Sequence, residues 1–162
     1  MGELRTGGLW SNGNGVGTLT SVPGADTYVN ATTVHMDDFN YRSPDDEGAP
    51  YVLNAQGLLE TDDGHYIGVR GQGLLANTPH VRAIMANETG VAPTRWGELD
   101  TFTTWTFQAS GPYAALTEST FVANIRISPS DAADTVSHID YRLSKVLPGP
   151  LCESEWETAG EL

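Results

Sequence analysis

Short runs of β-branched and aromatic residues alternate with polar neighbours along the chain, and turn-forming clusters break them at intervals typical of antiparallel β structure. The alternation is clearest over residues 51–60. There Tyr51, Leu53, Ala55, Gly57 and Leu59 share one face, while Val52, Asn54, Gln56, Leu58 and Glu60 share the other. The sequence Thr61-Asp62-Asp63-Gly64 predicts a hairpin, because Asp-Gly tolerates the positive φ angles of a type I′ turn, and residues 65–75 form the returning strand. Within that strand Gly68, Gly71 and Gly73 mark sharp coiling or the close approach of another backbone or a ligand. Upstream, residues 17–22 and 27–35 read as strands joined by the turn Pro23-Gly24-Ala25-Asp26. Residues 37–50, with Asp45-Asp46-Glu47-Gly48, read as an exposed loop.

Downstream, residues 79–88 predict the one helix. Pro79 suits its first turn, Val81, Ile84 and Met85 share a face, Gly90 can end it, and it could plug one end of a barrel. Residues 101–110 and 120–127 predict strands separated by Gly111-Pro112 and a short link. Thr103, Trp105 and Phe107 align on the first, and Phe121, Ala123 and Ile125 on the second. A last strand over 136–146 is stopped by Pro148-Gly149-Pro150. So many short strands hide their edges by closing into a barrel or by stacking as two sheets. The glycine-rich strand favours closure, since tight coiling needs such positions more than a flat sandwich does. The expected fold is therefore all-β, a single antiparallel β-barrel of about seven or eight strands with one short helix. It occupies residues 1–147 and is followed by an acidic tail over 148–162, docked loosely if at all through Trp156.

Composition narrows the function. A chain of 162 residues can bury a core without staples, and Cys152, its one cysteine, excludes an internal disulfide and a thiolate cluster. With no signal-like N-terminus, this points to a reducing, cytoplasmic setting. No apolar run reaches the roughly 18 residues of a membrane span. Eight Lys and Arg against 21 Asp and Glu give net −13, which repels nucleic acid and anionic lipid. Nucleotide loops, G-x-S-x-G and H-E-x-x-H are missing. His35, His65, His80 and His138 have no spacing suited to a metal, so neither metal nor cofactor is expected.

Several short blocks in order carry a resemblance. Gly24-Ala25-Asp26, Glu60-Thr61-Asp62-Asp63-Gly64, Ile67-Gly68-Val69-Arg70-Gly71, Thr101-Phe102 with Thr104 and Phe107, Tyr113-Ala114-Ala115-Leu116 and Thr120-Phe121-Val122 resemble the domain of unknown function 3237 family over about residues 8–127. The resemblance implies a β-barrel and, for fungal members, a place in natural-product pathways as cyclases or isomerases. The chain departs from the pattern at its start, where bacterial relatives carry an extra strand before Gly7-Gly8, at Thr27, where they carry an aromatic, and at Gly71, where they carry asparagine.

A barrel can rearrange a hydrophobic guest with an apolar chamber, an acid or base, and a shape that holds a reactive conformer. Candidate catalytic residues are Asp26 after its Pro-Gly turn, Glu60 beside the hairpin, Arg70 among glycines and in reach of Glu60, and Tyr113 as a phenol donor. Trp105 and Phe107 would wall the chamber, with Tyr28, Asn124 and Tyr141 as polar contacts. Each has a plainer reading, as an Asx turn for Asp26, a surface ion pair for Arg70 and core packing for the aromatics. The expectation is a cofactor-independent isomerase or cyclase acting on a polyketide- or terpenoid-like intermediate. The alternative is a small-molecule carrier using the same lumen, or a subunit that dimerises through its barrel wall or acidic tail.

Overall fold

The computed structural model describes residues 2–3, 9–42, 48–130 and 137–149. The strands are β1 (Gly2–Glu3), β2 (Leu9–Asn14), β3 (Thr18–Thr20), β4 (Asn30–Arg42), β5 (Tyr51–Thr61), β6 (Tyr66–Leu75), β7 (Phe102–Gln108), β8 (Phe121–Pro129) and β9 (Ser137–Lys145). Helix α1 (Pro79–Met85) lies between β6 and β7, and a 3₁₀ turn (Gly111–Leu116) between β7 and β8. All belong to one antiparallel sheet in the order β1-β2-β4-β5-β6-β7-β8-β9, while β3 takes the stretch of the β4 edge that β2 leaves. The chain therefore has a short strand before Gly7-Gly8, where the sequence predicted none.

The sheet curls into a half-barrel. Among the described residues no ladder joins β9 back to the first strands. Side chains bridge that seam instead: Tyr141 and Leu143 of β9 pack on the core cluster containing Val29 and Ala31, and Lys145 Nζ lies 3.4 Å from Asp26 Oδ2. Val69, Trp105, Phe107, Tyr113 and Leu116 belong to this first cluster, and the 3₁₀ turn supplies the last two. A second cluster, with Leu53, Leu75, Leu99, Ile125 and Ile127, is plugged by Val81 and Ile84 of α1.

Strand β4 departs most from expectation, because it continues to Arg42 where the sequence predicted a loop; residues 43–47 lie outside the described residues. A bulge at Val34 interrupts its pairing with β5 between Thr33 and His35. A bulge adds one residue to one strand and so exchanges its faces. Before it Ala31 and Thr33 stand opposite inward-facing Thr61 and Leu59; after it Met36, Asp38 and Asn40 stand opposite Gly57, Ala55 and Leu53. Gly57 permits this bend, since a Cβ there would sit 2.3 Å from the His35 carbonyl oxygen. Without the bulge Phe39 and Tyr41 would point inward, and Asp38 outward.

The β5–β6 hairpin forms as predicted with a different turn. Gly64 N donates to Thr61 O (3.0 Å) and Gly64 alone in the loop has positive φ, so a type I turn is followed by a left-handed glycine bulge. Thr78 caps α1 by accepting from Val81 N (3.1 Å), and Asn87, at φ 53°, turns the chain out of the helix before Gly90. Met85, expected on the buried face, is exposed.

His80 on α1 clips the helix to the following loop. Its Nδ1 lies 2.7 Å from Glu98 Oε1 and its Nε2 2.8 Å from Ala92 O. Both partners are acceptors, so both nitrogens must donate and the ring is held as imidazolium; the Glu98 carboxylate, then the Ala92 carbonyl, raise its pKa. This clip stabilises the fold fully below the ordinary value of 6.5 and weakens as pH rises through the raised folded value. The urea midpoint of the wild type should exceed that of His80→Gln in acid, with the gap closing in alkali. A gap that does not change with pH would show that the imidazolium does not hold the loop.

Candidate functional site

Cross-strand register places one row of inward positions around the middle of the half-barrel: Gly13, Asp38, Ala55, Gly71, Trp105 and Phe121 on successive strands. Small residues in the middle of this row leave room between its ends. The Trp105 indole fills part of that room, since a Cβ on Gly71 would lie 2.6 Å from the ring. Trp105 Nε1 donates to Thr103 Oγ1 (2.9 Å), which fixes the ring. Tyr141, two strands away on β9, meets it edge-on, with centroids 4.9 Å apart and planes at 68°.

Asp38 stands on the β4 side of this floor. Its Oδ1 is buried without a hydrogen-bond partner. Desolvation raises its pKa above the ordinary value of 3.8, and the Asn40 side chain offsets this in part. Burial also pushes the Tyr141 phenol strongly up, and the Asp38 charge adds to that effect. A carboxyl with a raised pKa thus lies within electrostatic reach of a phenol that keeps its proton. Perturbed groups paired in this way characterise proton-transfer sites. Both residues remain partly accessible.

A second polar cluster sits at the β5–β6 turn. Thr61 Oγ1 donates to Asp63 Oδ1 at 2.5 Å, Tyr113 Oη donates to the same oxygen at 3.1 Å, and His65 Nδ1 lies 3.2 Å from it. The Thr61 hydroxyl foremost, helped by His65 and Tyr113, lowers the Asp63 pKa to about 2. A carboxylate so saturated is a poor base; it pins the hairpin to the 3₁₀ turn. Its stabilising effect is present above 3.8 and disappears as pH falls toward about 2. Asp63→Asn should therefore lower the urea midpoint near neutrality and leave it unchanged in strong acid. A deficit that persisted at the acid end would assign the loss to packing.

The other expected site residues are scattered. Asp26 is exposed at the Lys145 contact, and Tyr28 is exposed beside it in sequence. Glu60 and Arg70 both lie on the outer face; register sets Arg70 against Gln56 and Thr106, and Glu60 against Tyr66, so they do not pair across the hairpin. Asn124 is also on the outer face, where its Oδ1 accepts from Gly97 N (3.2 Å). Trp105, Phe107 and Tyr113 are buried inside, and Tyr141 lines the seam. The structure brings Trp105 and Tyr141 together and adds Asp38, which the sequence reading placed in a loop.

Two open depressions, of about 190 and 170 Å³, lie elsewhere. Ser21 to Ala25 with Tyr28 line one, and Asn30 to Thr32 with Glu60 to Asp62 the other. Both fall below the roughly 300 Å³ of typical ligand sites, and neither is lined by Asp38. The chemistry at Asp38 therefore identifies the site better than concavity does. Among the described residues, no three His, Cys, Asp or Glu side chains gather as a metal site would require, and no helix is long and apolar enough to cross a membrane.

The family described as Protein of unknown function (DUF3237) matches residues 12–146. A solved structure described as a protein with unknown function from Clostridium acetobutylicum ATCC 824 is similar in fold, with a TM-score of 0.51 and 17% identity over 72% of this chain and 70% of that one. No curated protein matches.

Proposed function

Proceeding from the premise that the chain belongs to the DUF3237 family, we propose that it is a cofactor-independent isomerase or cyclase that moves a proton within an apolar carbonyl compound. The observation that carries this reading is the Asp38 carboxyl, set opposite Ala55 with its Oδ1 buried and unpaired, within electrostatic reach of the Tyr141 phenol that packs on Trp105. Asp38 takes a proton from the carbon next to the carbonyl. The C–H bond breaks, an O–H bond forms on Asp38, and the electron pair moves into an enolate whose oxygen accepts a hydrogen bond from Tyr141. Asp38 then returns the proton to a different carbon, or the enolate carbon adds to a second carbonyl of the same guest, whose C=O π bond breaks and whose oxygen takes the proton from Asp38 as the ring closes. No electrons are exchanged with a redox partner in either step.

An apolar carbonyl compound suits the site because charge in the guest would meet little compensation on the Ala55, Gly71 and Trp105 surface. Entry along the β9 seam is economical: parting side chains there breaks no ladder among the described residues. The test is incubation of the pure protein with a β,γ-unsaturated cyclic ketone in D₂O without added cofactor. Conversion to the conjugated ketone with deuterium incorporation supports the reading. Binding of such ketones with neither conversion nor exchange would make the protein a carrier instead.

A further inference from the structure

On the inner face, Gly73 and Gly71 of β6 stand opposite Thr103 and Trp105 of β7. A Cβ on Gly73 would lie 3.0 Å from Thr103 Cγ2, and one on Gly71 2.6 Å from the Trp105 ring, so each glycine seats the side chain opposite it. Thr103 is 2% exposed, and its hydroxyl oxygen accepts the Trp105 indole N–H at 2.9 Å. A β-branched side chain with its methyl seated in this way is restricted at χ1, so β6 sets where the acceptor stands. On its other side the indole meets the Tyr141 ring edge-on, with centroids 4.9 Å apart. Among the described residues the Tyr141 hydroxyl has no hydrogen-bond partner. Packing alone therefore directs the phenol, and the indole is the ring it packs against.

We propose that Thr103 is a positioning residue for Tyr141, an inference that rests on the proton-transfer reading given above: through the indole, Thr103 holds the phenol in the direction from which it donates to the enolate oxygen. It acts through two contacts, its hydroxyl on the indole and the indole on the phenol ring. A donor free of internal hydrogen bonds keeps its proton for the guest, and has nothing polar to orient it. Its direction then depends on packed neighbours whose own rotamers are locked by a further hydrogen bond. A buried indole N–H needs an acceptor in any protein, which explains the hydrogen bond and predicts no effect on turnover. Positioning predicts one: without the acceptor the indole is free to tilt, and misplacing a group by about 1 Å costs up to about 10²-fold in rate.

Thr103→Val keeps the branched shape and removes the acceptor, whereas Thr103→Ser keeps the hydroxyl and removes the methyl, so the pair separates positioning from packing. Two readouts follow the phenol. One is the ¹³C NMR signals of the Tyr141 ring, identified by their absence from Tyr141→Phe; the other is turnover of the β,γ-unsaturated cyclic ketone. Thr103→Val should shift the ring signals and lower kcat about tenfold, with KM changed less than about twofold. Thr103→Ser should return the ring signals to their wild-type positions and rescue kcat to within about threefold. Circular dichroism confirms folding for each. Ring signals unmoved in Thr103→Val would overturn the proposal. So would moved signals with an unchanged kcat, or a serine variant as slow as the valine one. A wild type without turnover would instead end the proton-transfer reading, and the ring signals would still decide whether Thr103 holds Tyr141.

Discussion

Asp38→Asn is expected to lower turnover by about 10²–10⁴-fold while leaving the protein at least as stable as the wild type. The carboxamide has nearly the same shape and cannot accept the substrate proton. The stability half follows from the sign of the pKa shift. Asp38 has a folded pKa raised above 3.8, so the folded state favours its protonated form. Ionisation therefore costs stability progressively as pH rises from 3.8 through the raised value, and the cost is fully present above it. Asparagine removes that cost, so the variant's urea midpoint should match the wild type in acid and equal or exceed it near neutrality. Opposite movement of activity and stability is expected where a fold tolerates an unfavourable group for its chemistry. Loss of both together would make Asp38 a structural residue.

Trp105→Ala is expected to destabilise the fold by about 3–5 kcal/mol, the range for removing a large buried aromatic. The indole packs over Gly71, meets Tyr141 of β9, and gives its N–H to Thr103. The variant therefore loses core volume and the ring contact on which Tyr141 of β9 rests. Trp105→Phe should cost less than the alanine variant, because it keeps an aromatic ring in the core while losing the hydrogen bond, about 1 kcal/mol, and part of the indole volume. Urea denaturation with an unchanged slope reads these differences. A loss below about 1 kcal/mol for the alanine variant would mean that the indole does not support the core.

The parts of the fold legible in the sequence were those that local periodicity determines. Alternation over 51–60 gave the inward faces of β5, and the aligned Thr103, Trp105 and Phe107 gave that of β7. Pro79, Val81 and Ile84 gave the plugging helix. Asp38 was not legible, because the bulge at Val34 reverses the faces of β4 and its cause is not local. It requires Gly57 on the neighbouring strand, where a side chain would strike the His35 carbonyl. Phe39 and Tyr41 then imitate a core face while lying outside. Asp26 and Glu60 were chosen for their places beside turns, and a turn positions a carboxylate without removing it from water. Trp105 and Tyr141 were visible as members of strands, but their meeting depends on how far the sheet curls, which no single strand records. Gly71 was visible as a site of close approach, and the approaching group is the indole itself.

The central claim is that Asp38 is a desolvated carboxyl able to exchange a proton inside the half-barrel. Its most direct test is a ¹³C NMR titration of the aspartate carboxyl carbons, with the Asp38 resonance assigned as the one missing from Asp38→Asn. A midpoint clearly above 3.8, coinciding with the acid limb of the pH–rate profile, is expected. A midpoint at or below 3.8 would contradict it, because a carboxyl that ionises as readily as one in water is neither desolvated nor tuned for the reaction.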